Sequence, residues 1–234
     1  MISELNHVCI HSSAFEADLL FYTGTLGGRI FRDITPVKGG TRFVYIQLGG
    51  GIVELVAAQS AADAGYNHVA FYLDADDLDA CCAHLMGLGL EFTTLPRKAS
   101  TFDGRIAFFN EPSGVSFELL GRPAEARLSA DESLPVSAFA YTAIGAGDRA
   151  ESTARFCAEE LGMAREGEFC RLNGDALRIT GEPGGILYMA FAARDAAAIR
   201  RRIAAAGIEV RDGVEGFATR SPSGEKILIL QERG

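Results

Sequence analysis

Histidine is scarce in this chain and confined to one end. Among 234 residues there are four, His7, His11, His68 and His84, and the last 150 residues contain none. Histidine-based chemistry therefore belongs to the first part, and the two halves are not expected to do the same job. Positive charge is also lacking. The formal net charge is −9; residues 1–125 hold 8 Lys/Arg against 15 Asp/Glu, and residues 126–234 hold 14 against 16. Neither half makes a basic field, which excludes nucleic acid as a partner. Arg200-Arg201-Arg202 reads as the solvated face of a helix. The five cysteines are odd in number and form no CxxC pair, which argues against a disulfide framework or a cysteine-zinc cluster and for a reducing compartment. No apolar run approaches the ~18 residues of a membrane span. Met1 is followed by Ile-Ser-Glu-Leu-Asn-His, without the basic start and apolar core of a signal peptide. A cytoplasmic protein with no membrane partner is expected.

What the chain has in quantity is apolar residues, 48%, and internal repetition. Leu5-Asn6-His7-Val8 recurs as Tyr66-Asn67-His68-Val69, and Val53-Glu54-Leu55 as Phe117-Glu118-Leu119. The elements between these markers come in the same order. An alternating run is followed by a helical pattern (14–26, then 75–88), which a glycine stops (Gly27, Gly89). Three strand-like runs follow, at 29–33, 41–48 and 52–57, then at 91–95, 105–110 and 115–120. The unit is a βαβββ module, present twice. PAEARLSADESLP, bounded by Pro123 and Pro135, reads as a linker. Beyond it the plan repeats more loosely, with strands at 139–144 and 186–192, helices at 149–161 and 193–206, and an Asn173-Gly174 hairpin turn. The predicted fold class is α+β. Four βαβββ modules form two pairs, each a curved eight-stranded mixed sheet, an open barrel with its helices outside. The predicted domains are 1–122, the linker 123–135, and 136–234.

Side chains alternate along a strand, so His7, Cys9 and His11 share one face, and His68, Ala70 and Tyr72 share another. Glu54 and Glu118 each sit between two apolar neighbours and point away from the apolar side. An isolated histidine is usually structural, and a lone strand glutamate usually marks an exposed face. Two of each, at equivalent places in two repeats of otherwise apolar strands, are harder to explain that way, because unpaired buried acids cost free energy. Two imidazoles and two carboxylates suit a borderline divalent ion. The corresponding positions of the second pair hold Tyr141, Arg178, Tyr188 and Leu228, which are not ligands for such an ion.

Strand parity adds further candidates. A two-residue Gly49-Gly50 turn places Tyr45 across from Glu54. A four-residue turn at 111–114 pairs Ala107 with Glu118 and Arg105 with Leu120, turning Arg105 toward the cavity as a substrate-carboxylate ligand. The plainer reading is a rim arginine in solvent. His11 is either pocket wall or strand-end surface. Cys9 is a soft neighbour of the metal or a small core residue. His84 lies on a helix face toward solvent.

These residues resemble the vicinal oxygen chelate superfamily, which includes glyoxalase I, methylmalonyl-CoA epimerase, fosfomycin-resistance proteins, extradiol dioxygenases and bleomycin-binding proteins. The matching stretches are Asn6-His7-Val8, Phe21-Tyr22-Thr23 with Leu26-Gly27, and His68-Val69-Ala70-Phe71 with Asp77-Leu78-Asp79. The most specific is Gly104–Phe109 followed by Glu111-Pro112-Ser113-Gly114 and Phe117-Glu118-Leu119. The resemblance implies one divalent ion that holds two neighbouring substrate oxygens and stabilises a developing enolate. The set His7, Glu54, His68 and Glu118 is similar to that of bacterial glyoxalase I. It implies Glu118 as the carboxylate that moves a proton, with Glu54 as second candidate, and Ni, Zn, Co or Mn as the ion. Glutathione-dependent members carry an arginine where this chain has His11, so glutathione is not implied.

The leading expectation is a metal-dependent lyase or isomerase acting through an enediolate, with Arg105, Tyr45, Tyr72 and His11 lining the substrate. The alternatives are an Fe(II) extradiol dioxygenase using His7, His68 and Glu118, and a non-catalytic protein that binds a small molecule or antibiotic. Each requires a small-molecule partner, and the chain is expected to be a monomer or homodimer.

Overall fold

The computed structural model describes residues 2–35, 40–100, 102–123 and 128–232. Part of the expected linker, 124–127, lies outside the described residues. The first sheet contains β1 (Glu4–Ser12), β2 (Arg29–Ile34), β3 (Phe43–Leu48), β4 (Gly51–Ala57), β5 (Gly65–Asp74), β6 (Phe92–Lys98), β7 (Arg105–Asn110) and β8 (Ser116–Arg122). Its order is β2-β3-β4-β1-β5-β8-β7-β6. The second sheet contains β9 (Val136–Ala146), β10 (Ala164–Glu166), β11 (Phe169–Leu172), β12 (Asp175–Thr180), β13 (Pro183–Ala193), β14 (Val210–Asp212), β15 (Gly216–Arg220) and β16 (Lys226–Gln231). Its order, β10-β11-β12-β9-β13-β16-β15-β14, is the same pattern shifted by eight strands. Both sheets are mixed: β5 runs parallel to β8 and β13 to β16, while β7 and β15 are antiparallel to those partners. Neither sheet closes. Among the described residues four α-helices, α1 (Phe15–Leu20), α2 (Leu78–Gly87), α3 (Ala150–Glu159) and α4 (Ala196–Ala205), lie outside. None is long and apolar enough to cross a membrane.

Four βαβββ modules are therefore present. The helix expected over 14–26 is interrupted. After the six residues of α1 the chain takes a π-turn over Phe21–Thr25, where the Leu26 N–H donates to the Phe21 carbonyl at 2.9 Å. The wider turn accompanies full burial of Phe21 and Tyr22. Asn173 (φ 50°) and Gly174 (φ 100°) both take left-handed conformations, as a two-residue type I′ turn between β11 and β12 requires. The sixteen strands of the four-module plan are present, but the sequence assigned no residues to the short strands β10 and β14 or to β15. β10 and β14 are three residues each and expose mostly charged side chains, so no apolar alternation marks them.

The chain folds into two compact units. One comprises Met1–His7, His68–Leu128 and Thr142–Leu187; the other comprises Val8–Asn67, Ser129–Tyr141 and Tyr188–Gly234. Each unit draws on both halves of the sequence. In the first, the turn after β7 docks on α3: buried Glu111 accepts from Thr153 Oγ1 at 2.8 Å and from the Ser113 and Val115 N–H groups at 2.9 and 3.0 Å. In the second, the turn after β15 docks on α1. Fully buried Asp18 accepts there from the Ser223 N–H at 3.1 Å and from the Ser12 hydroxyl. Buried carboxylates persist only when so partnered. The segment entering β9 is tied down as well. The Gln47 side chain donates to the Ser129 carbonyl at 2.8 Å, and Asp131 pairs with Arg29 at 2.8 Å.

The β11–β12 hairpin meets the start of β1 through Asn173, whose amide donates to the Ser3 carbonyl at 2.7 Å, and Asp175, which accepts the Leu5 N–H at 3.0 Å. Burial pushes the Asp175 carboxyl up to about 7, Glu4 adds to the rise, and the Leu5 hydrogen bond opposes it. The folded chain therefore holds a proton over this interval that the unfolded chain has released. That contribution is full below the ordinary carboxylate range and is lost as pH rises through about 7. Asp175→Asn keeps an acceptor for Leu5 and removes the titration. Its melting temperature is expected to gain on that of wild type between about pH 5 and about pH 8. A difference that does not change with pH would exclude Asp175 as the source.

Candidate metal centre

His7 lies on β1, His68 on β5 and Glu118 on β8. β5 and β8 are parallel neighbours with His68 opposite Ser116 and Ala70 opposite Glu118, so the carboxylate stands one step along the same face from the imidazole. The two histidine Nε2 atoms are 3.2 Å apart, and each is 3.2 Å from Glu118 Oε2. The rings meet edge to face with centroids 5.3 Å apart. The three residues retain only 2%, 5% and 4% of their exposure. Burial pushes the Glu118 carboxyl up, but hydrogen bonds from His68 and His7, with their charge, outweigh it and hold the group below the usual carboxylate range.

This donor set fits a divalent cation. Ligand atoms about 2.1 Å from a common ion are about 3.0 Å apart at right angles and about 3.4 Å apart at the tetrahedral angle. The observed edges of 3.2 Å fall between these values. His7 is also oriented from behind, because its Nδ1 lies 3.0 Å from Asn6 Oδ1. That contact fixes the outer nitrogen and leaves Nε2 to face the centre. The repeat of Asn-His in both modules was the available signal for Asn6, which sequence reasoning did not use.

Glu54 is 5% exposed on β4, directly across from Tyr45 on β3, as the two-residue turn predicted. Its carboxylate lies within 4.8 Å of Cys9 Sγ on β1, and Cys9 is itself buried. Tyr45 packs against Phe31 with centroids 5.8 Å apart. Tyr72 is fully buried, with its hydroxyl donating to the Arg122 and Pro123 carbonyls at the far end of β8. His11 is half-buried near the end of β1. His84 is exposed on α2 and pairs with Glu160 at 2.7 Å.

Arg105 is a correction. The turn after β7 takes five residues, 111–115, because Asn110 pairs with Ser116. The register is therefore one residue different from the expected one: Phe108 stands opposite Glu118, and Arg105 opposite Gly121. A shift of one residue turns a side chain to the other face. Arg105 consequently points to the helix side and holds Asp79 on α2 at 2.7 and 2.9 Å. Phe108, missed by the same error, takes the place beside the site, its ring edge-on to His68 with centroids 5.1 Å apart. Together with Ala70, Ala99, Phe102, Ile106 and Leu120 it makes an apolar floor next to the triad.

The second sheet lacks this chemistry at the corresponding positions. Tyr141 and Tyr188 meet edge to face, 6.0 Å between centroids, Arg178 pairs with Glu168 at 2.9 Å, and Leu228 is half-buried.

A family model described as Glyoxalase/Bleomycin resistance protein/Dioxygenase superfamily matches residues 4–119, the stretch that holds all four expected ligands. Residues 4–119 belong to that superfamily. Among solved structures, the chain is similar to a Mn(II)-bound glyoxalase from Novosphingobium aromaticivorans, at 18% identity and TM-score 0.74, covering 99% of this chain and 82% of that one. It is also similar to homoprotocatechuate 2,3-dioxygenase from Brevibacterium fuscum in complex with 3,4-dihydroxyphenylacetate, at 16% identity and TM-score 0.75, covering 100% and 81%. A third similar structure is the 2,3-dioxygenase LapB from Pseudomonas sp. KL28, at 17% identity and TM-score 0.70, covering 100% and 93%. At these identities the similarity is one of fold. It extends over both sheets, whereas the superfamily match ends with the first.

Asn6→Ala is expected to weaken binding of a divalent ion about 10- to 100-fold by freeing the outer nitrogen of His7. Competition against a chromophoric chelator measures this. An unchanged affinity would show that Asn6 does not orient the ligand.

Proposed function

We propose that this chain is a divalent-metal-dependent lyase or isomerase of glyoxalase I or epimerase type, acting on a small substrate with neighbouring oxygens. The observation that carries the reading is the closure of His7, His68 and Glu118 to 3.2 Å edges in a buried, apolar setting. His7, His68 and Glu118, with Glu54 as the fourth ligand, would hold one Ni, Zn, Co or Mn ion. Bound there, such an ion supplies Lewis acidity toward negative charge developing on a substrate oxygen.

The chain's own groups supply the rest. The Glu118 carboxylate takes the proton from the carbon next to the substrate carbonyl and returns it to the neighbouring carbon, with Glu54 as the second proton-carrying carboxylate. A positioned carboxylate of this kind contributes about 10²–10⁴-fold. The floor of Ala70, Ile106, Phe108 and Leu120 keeps water from the reacting carbon. Tyr45 and His11 line the substrate. Tyr72 contributes its ring, since its hydroxyl is engaged by the backbone of Arg122.

A second reading is an Fe(II) extradiol dioxygenase. It is favoured by the same triad, because two imidazoles and one carboxylate suffice for that chemistry. Metal content after aerobic and anaerobic purification, with turnover of hemithioacetal, acyl-CoA epimer and catechol substrates, separates the two. Bound Ni, Zn, Co or Mn with hemithioacetal or epimer turnover supports the first reading. Air-sensitive iron with catechol ring opening supports the second. Failure to bind any divalent ion, with His7→Ala indistinguishable from wild type, would overturn both and leave a non-catalytic binding protein. Under the first reading, Glu118→Gln is expected to lower kcat by about 10²–10⁴-fold.

A further inference from the structure

The second sheet carries a cavity of about 230 Å³ beside β14, β15 and β16, lined by Ile208, Glu209, Arg211, Ala218, Arg220 and Lys226. Strand pairing explains why it opens there. In the first sheet Phe108 stands opposite Glu118 and Asn110 opposite Ser116. The corresponding pairs in the second sheet are Ala218 with Leu228 and Arg220 with Lys226. A ring is thus replaced by a methyl group, which leaves space, and two neutral polar residues are replaced by two cations.

Those cations face each other across an antiparallel pair, an arrangement that destabilises a sheet unless something offsets it. Of the nearby acids, Asp212 is held by Arg200, and Glu209, which lines the cavity, is held chiefly by Arg211 at 2.8 and 3.2 Å, with the Arg220 charge adding to the stabilisation of its carboxylate. Among the described residues neither Arg220 nor Lys226 forms an ion pair. Arg220 donates to the Gly224 carbonyl, and the Lys226 ammonium sits 4.5 Å from the centre of the Tyr188 ring. The Thr219 hydroxyl, bonded to the Glu209 carbonyl at 2.8 Å, ties β15 to the segment that leads into β14.

We propose that this cavity binds a small organic anion, with its carboxylate or phosphate between Arg220 and Lys226 and its apolar part against Ile208 and Ala218. A guanidinium and an ammonium together suit either oxyanion. The volume lies below the usual range for drug-sized ligands, so the occupant is a short molecule. The site does not depend on the metal centre or on the reaction assigned to it.

Calorimetric titration with hexanoate and with phenyl phosphate tests the proposal on wild type, Arg220→Gln, Lys226→Gln, the double variant and His7→Ala. Both cations are exposed, and neutralising either relieves their like-charge pairing, so these variants are expected to melt at or slightly above the wild-type temperature. At least one probe should bind saturably. Its affinity should fall roughly tenfold or more in the double variant, by about 1.4 kcal/mol or more, with each single variant weakened in part. His7→Ala should bind as wild type does. Binding of hexanoate alone identifies a carboxylate ligand, and of phenyl phosphate alone a phosphate. The proposal is overturned if neither probe saturates, if the double variant keeps the wild-type affinity, or if His7→Ala abolishes binding, which would place the anion at the metal centre.

Discussion

A buried carboxylate has to be compensated, and the first sheet is arranged around that need. Glu118 has lost nearly all contact with water, and its charge is supported by the imidazoles of His7 and His68 at 3.2 Å. Leaving such a charge alone would cost several kcal/mol. Meeting the requirement takes three strands in a set order. β1 and β5 must be neighbours to bring the imidazoles together, and β5 and β8 must be parallel with Ala70 opposite Glu118. The order and direction of the central strands are thus also the conditions for the site.

The second sheet shows what the same scaffold does without that requirement. Its strand order is identical, but an edge-to-face pair of tyrosines occupies the positions of the imidazoles and a leucine that of Glu118. The sheet therefore does not depend on the ligands. It needs its turns docked, and both units meet this in the same way, with a buried acid bonded across to a helix or a turn from the other half of the sequence. Duplication has preserved the packing while the exposed pairs diverged, and Arg220 opposite Lys226 is one result.

Much of this was legible in the residues. The recurrence of Asn-His and of apolar-Glu-apolar marked the modules, and strand alternation placed His7, His68, Glu54 and Glu118 on one kind of face. Asn173-Gly174 specified its turn, and Gly49-Gly50 the pairing of Tyr45 with Glu54. What escaped detection depended on small geometric margins. Glu111-Pro112-Ser113-Gly114 reads as a four-residue turn, yet Val115 belongs to it, and that one residue exchanged Arg105 for Phe108 at the site. The π-turn after α1 depends on burying Phe21 and Tyr22 together, which no local pattern announces. The strands β10 and β14 exist because a neighbour pairs with them, and their own side chains are mostly exposed and charged.

The sequence by itself determined the repeat, the class of fold and the residue types available for a metal, because alternation and periodicity are local properties that recur wherever the same module recurs. Tertiary structure alone decided which of these residues meet. The 3.2 Å triangle depends on the register of strands far apart in the chain, and register changes with the length of a single turn. The partition into two units that each mix both halves also belongs to the tertiary level, because it arises from turns docking on helices far away in the chain, as the Glu111 turn does on Thr153 of α3.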